Sequence, residues 1–254
     1  MVPPDAALRL SPHATKAGLS ACCAGTQLPS LRLTGLSCAC VTLKEKAETE
    51  LEIARRNYKA AADFIQTSKF GPITMVELNW NVNQPGRWRR PDLVAKCKKE
   101  DLDWNRYLMN RPYEDFDPRK YLEYRLFWPY SSGLPGQWMS HQIDTVHWFS
   151  GLQHPRSVTA NGGIYQWKDG RKNWDTITAV FDYGPANDMT TGFQVVFMSR
   201  MHNGEERPTE MYYSNGGELN LINNTVSPKG GLTAGFAKAM NMQPNLLPEL
   251  NLTE

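Results

Sequence analysis

Four runs of alternating apolar and polar residues follow one another between positions 158 and 222, with no helical pattern among them. VTANGGIYQW leads to the turn residues Lys168, Asp169 and Gly170, and DTITAVFDY then alternates Ile177, Ala179, Phe181 and Tyr183. GFQVVFMSR follows, then EMYYSNGGELNLI, whose Asn215-Gly216 is a strong hairpin signal. Strands linked only by short turns pair antiparallel, because a parallel neighbour needs a long crossover. The chain is therefore committed to an antiparallel sheet. Val195 and Phe197 alternate with Val196 and Met198, so both faces of that sheet carry apolar side chains.

Upstream, KEKAETELEIARRNYKAAADFIQTSKFG sets Ala47, Leu51, Tyr58, Ala61, Ala62 and Ile65 on one helical stripe. Thr42 is expected to cap this helix and Gly71 to stop it. PITMVELNWNV then alternates Val76, Leu78, Trp80 and Val82, the pattern of a half-buried strand. Residues 84–135 are loop-rich, and their aromatic content predicts a packed segment. The expected organisation is a disordered or non-native leader over 1–43, an α+β substrate and oligomerisation domain over 44–232, and an irregular tail over 233–254.

A net charge of +2, with no basic run interleaved with aromatics, argues against nucleic acid as partner. No apolar stretch is long enough to span a membrane, and the first residues have no secretory apolar core. Cys22, Cys23, Cys38, Cys40 and Cys97 are spaced as CC and CxC plus one over, which matches neither zinc nor redox motifs. Reduced thiols in a cytoplasmic protein are expected. The sequence lacks a GxGxxG after a strand, a phosphate loop, a GxSxG elbow and HExxH, and its histidines have no metal spacing. No metal site is expected.

The stretch GQWMSHQIDTVHWFSG, residues 136–151, is the richest in chemistry. Gly133, Pro135 and Gly136 make its approach a loop, and Gly151 is a natural helix terminator. If residues 140–150 are helical, His141, Asp144 and Trp148 share one stripe while Ile143, Val146 and Phe149 face the core. Gln137 sits one turn before His141. Two readings stand: a site helix with His141 open to a cleft, or a core helix whose histidine is sealed and bonded to protein. His147, His154 and His202 read as structural.

YLEYRLFWPYSSGLPGQWMSHQIDTVHWFSGLQHP resembles the central signature of the Gfo/Idh/MocA oxidoreductases, the family of glucose–fructose oxidoreductase and inositol dehydrogenase. That signature has an RxFWxYxxG lead, a D-x-x-x-H pair, an HxxD helix start and a WxxG end, and this chain matches all but the aspartate of the pair. DLDWNRYLMNRPYEDFDPRKY, NGGIYQWKDGRKNWDTITAVFDY and YYSNGGELNLI extend the likeness over about residues 50–232. The resemblance implies an NAD(P)-dependent enzyme acting on a sugar or polyol. This chain would supply its second domain, an open, mainly antiparallel sheet with helices packed on one face and the Rossmann domain absent. His141 would handle the hydroxyl proton, as an imidazole can near neutral pH. Asp144 would contact substrate hydroxyls, and Arg125, Trp128 and Tyr130 would shape the cleft wall. Gln137 replaces the family's aspartate, so it can bond a hydroxyl but carries no charge. NAD or NADP is the implied cofactor, with no tight binding expected from this chain alone. A homo-oligomer formed through the sheet face is expected. A non-catalytic carbohydrate-binding or assembly module is the competing function.

Overall fold

The computed structural model describes residues 34–204 and 209–253, with side chains from residue 49 onward. Residues 1–33 of the expected leader lie outside the described residues. Helix α1 spans Thr34–Ile65, so Thr42 is an interior position rather than its cap. No proline lies between Thr34 and Thr42 to stop the helix from reaching back. It also ends before Gly71: the Thr67 hydroxyl donates to the Phe64 carbonyl at 2.6 Å and draws the backbone out of helical pairing. One compact unit ends at Arg56 and a second begins at Asn57.

The second unit is built on one sheet of eight strands in the order β2-β3-β4-β1-β5-β6-β7-β8. These are β1 Met75–Asn79, β2 Ser157–Gly163, β3 Thr176–Tyr183, β4 Phe193–Arg200, β5 Thr209–Ser214, β6 Gly217–Asn220, β7 Thr225–Ser227 and β8 Leu250–Asn251. The expected β2–β3, β3–β4 and β5–β6 hairpins form, but the third and fourth runs, β4 and β5, do not pair because β1 lies between them; every described pairing but one is antiparallel. The exception is β1, which lies parallel to β4 with Val76 opposite Val195 and Leu78 opposite Phe197. Because β1 arrives from α1 and lies between β4 and β5, it can be antiparallel to only one of those antiparallel-running neighbours.

The core face carries Val76, Val195, Phe197 and Tyr212, all fully buried. Each apolar side chain of this kind stabilises the fold by roughly 1.5–3 kcal/mol. Ala61, Ala62 and Ile65 from the end of α1 and Val146 and Phe149 from α5 (Ser140–Ser150) join the same core. Polar bonds add direction to the docking of α5. The Gln142 amide donates to the Asn79 and Thr209 carbonyls at 3.2 and 3.0 Å, fixing the start of α5 over the ends of β1 and β5.

The segment between β1 and α5 holds three short helices, α2 Pro91–Val94, α3 Trp104–Leu108 and α4 Pro118–Leu122. Its aromatics are packed as the sequence suggests, with Tyr107 and Tyr130 stacked at 5.5 Å and Trp104 edge-on to Phe116. Residues 233–254, where the pattern gives no element, add helix α6 (Ala234–Ala239) and β8, and bury Leu247.

One buried carboxylate organises the loop between β2 and β3. Asp175 accepts backbone N–H bonds from Tyr165, Gln166 and Trp167 at 3.0, 2.9 and 2.8 Å. The Thr176 hydroxyl adds a fourth bond at 3.1 Å. Burial opposes the charge, but those amides prevail and hold its carboxyl below the usual carboxylate range.

Candidate active site

The approach to α5 is not a loop. Residues Pro135–Met139 form a π-helical turn in which the Ser140 amide reaches back to the Pro135 carbonyl. Pro135 at the first helical position has no N–H to leave unpaired, which lets the helix start upstream of Ser140. Gly136 lets the Ser132 hydroxyl approach closely, 2.2 Å from where a Cβ would lie. Widened turns of this kind recur at functional sites.

At this turn the chain forms a cleft of about 590 Å³, lined by Gln137, Trp138 and His141, by Trp80 beyond the end of β1, by Arg87, Trp88 and Arg90, and by Arg125. The volume is in the range of small-molecule sites. His141 is exposed, and neither ring nitrogen has a hydrogen-bond partner among the described residues. Its ring lies 6.1 Å from Trp80, and Trp80 is stacked on Trp138 at 6.1 Å. The sealed-histidine reading is excluded. The core face of α5 is as expected, with Val146 and Phe149 buried and Ile143 half-buried.

Gln137 does not turn toward His141. Its carbonyl oxygen accepts from the Arg125 Nε at 2.6 Å, and its amide reaches the Ser131 hydroxyl at 3.4 Å. Arg125 is held from behind by its own backbone: Asn173 donates to the Arg125 and Ser131 carbonyls at 3.0 and 2.8 Å. Thus the loop that Asp175 organises also positions the cleft's arginine.

Three expected residues fall elsewhere. Asp144 is exposed and outside the cleft lining, and its charge acts on His147. Burial outweighs that charge and lowers the His147 pKa, while the ring bonds the Tyr183 hydroxyl at 2.9 Å. Trp128 is 68% exposed and does not line the cleft. Tyr130 is drawn into the aromatic cluster by its stack on Tyr107 and its hydroxyl bond to Glu114.

The walls come instead from residues that sequence reasoning did not single out. Residues 84–91 read QPGRWRRP, a Pro-Gly turn followed by three arginines and a tryptophan within a segment already marked as packed. That composition was the available signal. The Arg87 amide bonds the Gln84 carbonyl at 3.0 Å, and Trp88 takes the left-handed φ of 68°, uncommon for a bulky residue. This places the Trp88 ring 5.4 Å from Trp138, with the Arg87 guanidinium 5.3 Å above Trp138. The turn is tied down by Glu123, which is buried and accepts from the Arg90 amide at 2.7 Å, Arg119 Nε at 2.8 Å and Arg89 Nε at 3.0 Å.

Among the described residues no group of three metal-ligating side chains forms. No helix is long and apolar enough to cross a membrane among those residues. The glycine-bearing passage at 228–233 leads from an antiparallel strand into a helix of six residues. It is not the parallel strand–turn–helix unit that presents amides to a pyrophosphate, so these residues do not fit the phosphates of a dinucleotide.

No family model matches the sequence, and no curated protein matches it. Among solved structures the chain is similar to an oxidoreductase domain protein from Kribbella flavida, with a TM-score of 0.45 and 14% identity, covering 80% of this chain and 46% of that one. It is similar to the WlbA dehydrogenase from Bordetella pertussis solved with NADH and UDP-GlcNAcA, with a TM-score of 0.42 and 15% identity, covering 64% and 38% of the two chains. A levoglucosan dehydrogenase solved with NADH and levoglucosan gives a TM-score of 0.43 and 14% identity, covering 72% and 43%. The chain spans less than half the length of each of these structures.

Proposed function

We propose that this chain is the substrate-side portion of an NAD(P)-dependent oxidoreductase acting on a sugar or polyol. The observation that carries the reading is the His141 ring, open to a tryptophan-walled cleft with neither nitrogen bonded by any described residue. Flat indole faces suit the C–H faces of a sugar ring, while the imidazole and the guanidinium groups suit its polar edge. In alcohol oxidation the O–H proton and the C–H hydride leave separately. His141 would take the proton. A nicotinamide cofactor would accept the hydride.

The test supplies the chain with NAD or NADP and a panel of sugars and polyols, with and without a dinucleotide-binding domain from such a dehydrogenase. The chain alone is expected to bind NAD(H) or NADP(H) only feebly and to show no turnover. With the added domain, turnover is expected, and His141→Asn should lower it by about 100-fold while sugar binding stays. Micromolar affinity of the chain alone for the dinucleotide in calorimetry would overturn the first expectation. Sugar binding with no turnover in either setting would leave the carbohydrate-binding module.

Assembly follows from the other face of the sheet. Half-buried Val180 and Val196 lie beside exposed Met198 there, opposite the core face. Apolar surface of this kind favours self-association, and a homo-oligomer is expected by light scattering. A monomeric mass at tens of micromolar would sink this expectation.

A further inference from the structure

Arginines in this part of the molecule fall into two groups. Arg89 and Arg119 both end on Glu123, and Arg89 and Arg171 reach Asp169. Their charges are satisfied and their role is architectural. Arg87, Arg90 and Arg125 point into the cleft lining, and among the described residues no carboxylate pairs with any of them. Among the described residues, those that line the cleft include no acidic side chain.

Three further observations show that the charge is held ready. The Arg87 Nε is buried without a hydrogen-bond partner, while its Nη1 is fixed by Gln84. Burial, and then the charge of Arg125, press the Arg87 pKa below its ordinary value, so the two guanidinium groups share one field. Gln137 grips Arg125 at 2.6 Å through a neutral oxygen. A carboxylate at that position would hold the same guanidinium and also cancel it. The amide holds it and leaves its charge available.

We propose that the cleft takes an anionic sugar, bearing a carboxylate or a phosphate, with the anion met by Arg87, Arg90 and Arg125 and the ring laid against the tryptophans. This rests on the sugar reading of the same cleft and narrows it. Guanidinium forks match both anions with paired N–H donors. The partly enclosed, indole-lined site lessens screening of those contacts by water.

The test uses the whole chain and follows tryptophan fluorescence and calorimetric heat with four probes: glucuronate, glucose 6-phosphate, glucose and inorganic phosphate. At least one charged sugar is expected to bind about tenfold or more tighter than glucose, and less tightly as salt rises from about 20 to about 300 mM. Gln137→Glu, which keeps the side-chain shape, should lower the ratio of charged-sugar affinity to glucose affinity by about tenfold. Arg90→Met, at an exposed position, should lower the same ratio about tenfold, and its melting temperature reports whether the fold is kept. Tight glucuronate alone assigns a carboxylate, and tight glucose 6-phosphate alone assigns a phosphate. Glucose binding as tightly as both anions overturns the anion site and leaves the sugar reading. Inorganic phosphate binding with no sugar bound overturns the anionic-sugar proposal through its sugar half. No binding of any probe overturns both.

Discussion

Asp175→Ala is expected to destabilise the protein by about 3 kcal/mol, because it orphans four part-buried donors, for which the roughly 1–3 kcal/mol cost of a fully buried one is an upper bound. Three backbone amides and the Thr176 hydroxyl converge on that carboxylate, which is fully buried. The damage should reach the cleft, since the same loop carries Asn173 to the Arg125 carbonyl. Asp175→Asn keeps one oxygen acceptor and should recover part of the loss. Urea unfolding of the three proteins gives the comparison, and a loss under about 1 kcal/mol for alanine would contradict the assignment of the loop to this carboxylate.

Stability should also fall as pH rises from about 5 to about 8, through Glu210. This side chain lies on the core face under α5, and burial raises its pKa from 4.5 to about 7, the Thr145 contact only partly opposing. The Thr145 hydroxyl, which accepts from the Tyr212 hydroxyl at 3.0 Å, donates toward Glu210, and this is the bond that partly opposes the effect of burial. A raised acid pKa means that the folded state holds a proton the unfolded chain releases. The contribution is complete below about pH 4.5 and is lost as pH passes through about 7. The interval corresponds to about 3 kcal/mol. Glu210→Gln should flatten the dependence and be more stable than the parent at pH 8. Melting temperatures from pH 5 to 8 decide it, and parallel slopes for the two proteins would rule Glu210 out as the source.

Period and turn chemistry made the antiparallel hairpins legible, because each is specified by residues within a few positions of one another. The core face of α5 was legible for the same reason. The place of β1 was not: Trp80 and Ser199 bond across 119 positions, and no local signal announces such a partner. The cleft divides the same way. His141, Gln137 and Arg125 lie in one short segment whose pattern could be read. Arg87, Trp88 and Arg90 reach it only because Glu123, 33 positions from Arg90, clamps their turn. Tyr130 was misplaced for a related reason, since an aromatic side chain goes where the larger stack of rings is.

The position of β1 also sets an order of events for a folding chain. The central strand of the sheet is synthesised before both of its neighbours, and the bond from the Tyr213 hydroxyl of β5 to its Glu77 spans 136 positions. The β2–β3–β4 hairpins can form from near neighbours, but β4 and β5 adjoin in sequence and must stay apart to admit a strand that has been waiting since the start. Closing so long a loop late is slow. Until it happens, the strand-pairing edges of β4 and β5 are open to each other and to other chains. The strand that completes the core is thus also the step on which correct folding competes with aggregation.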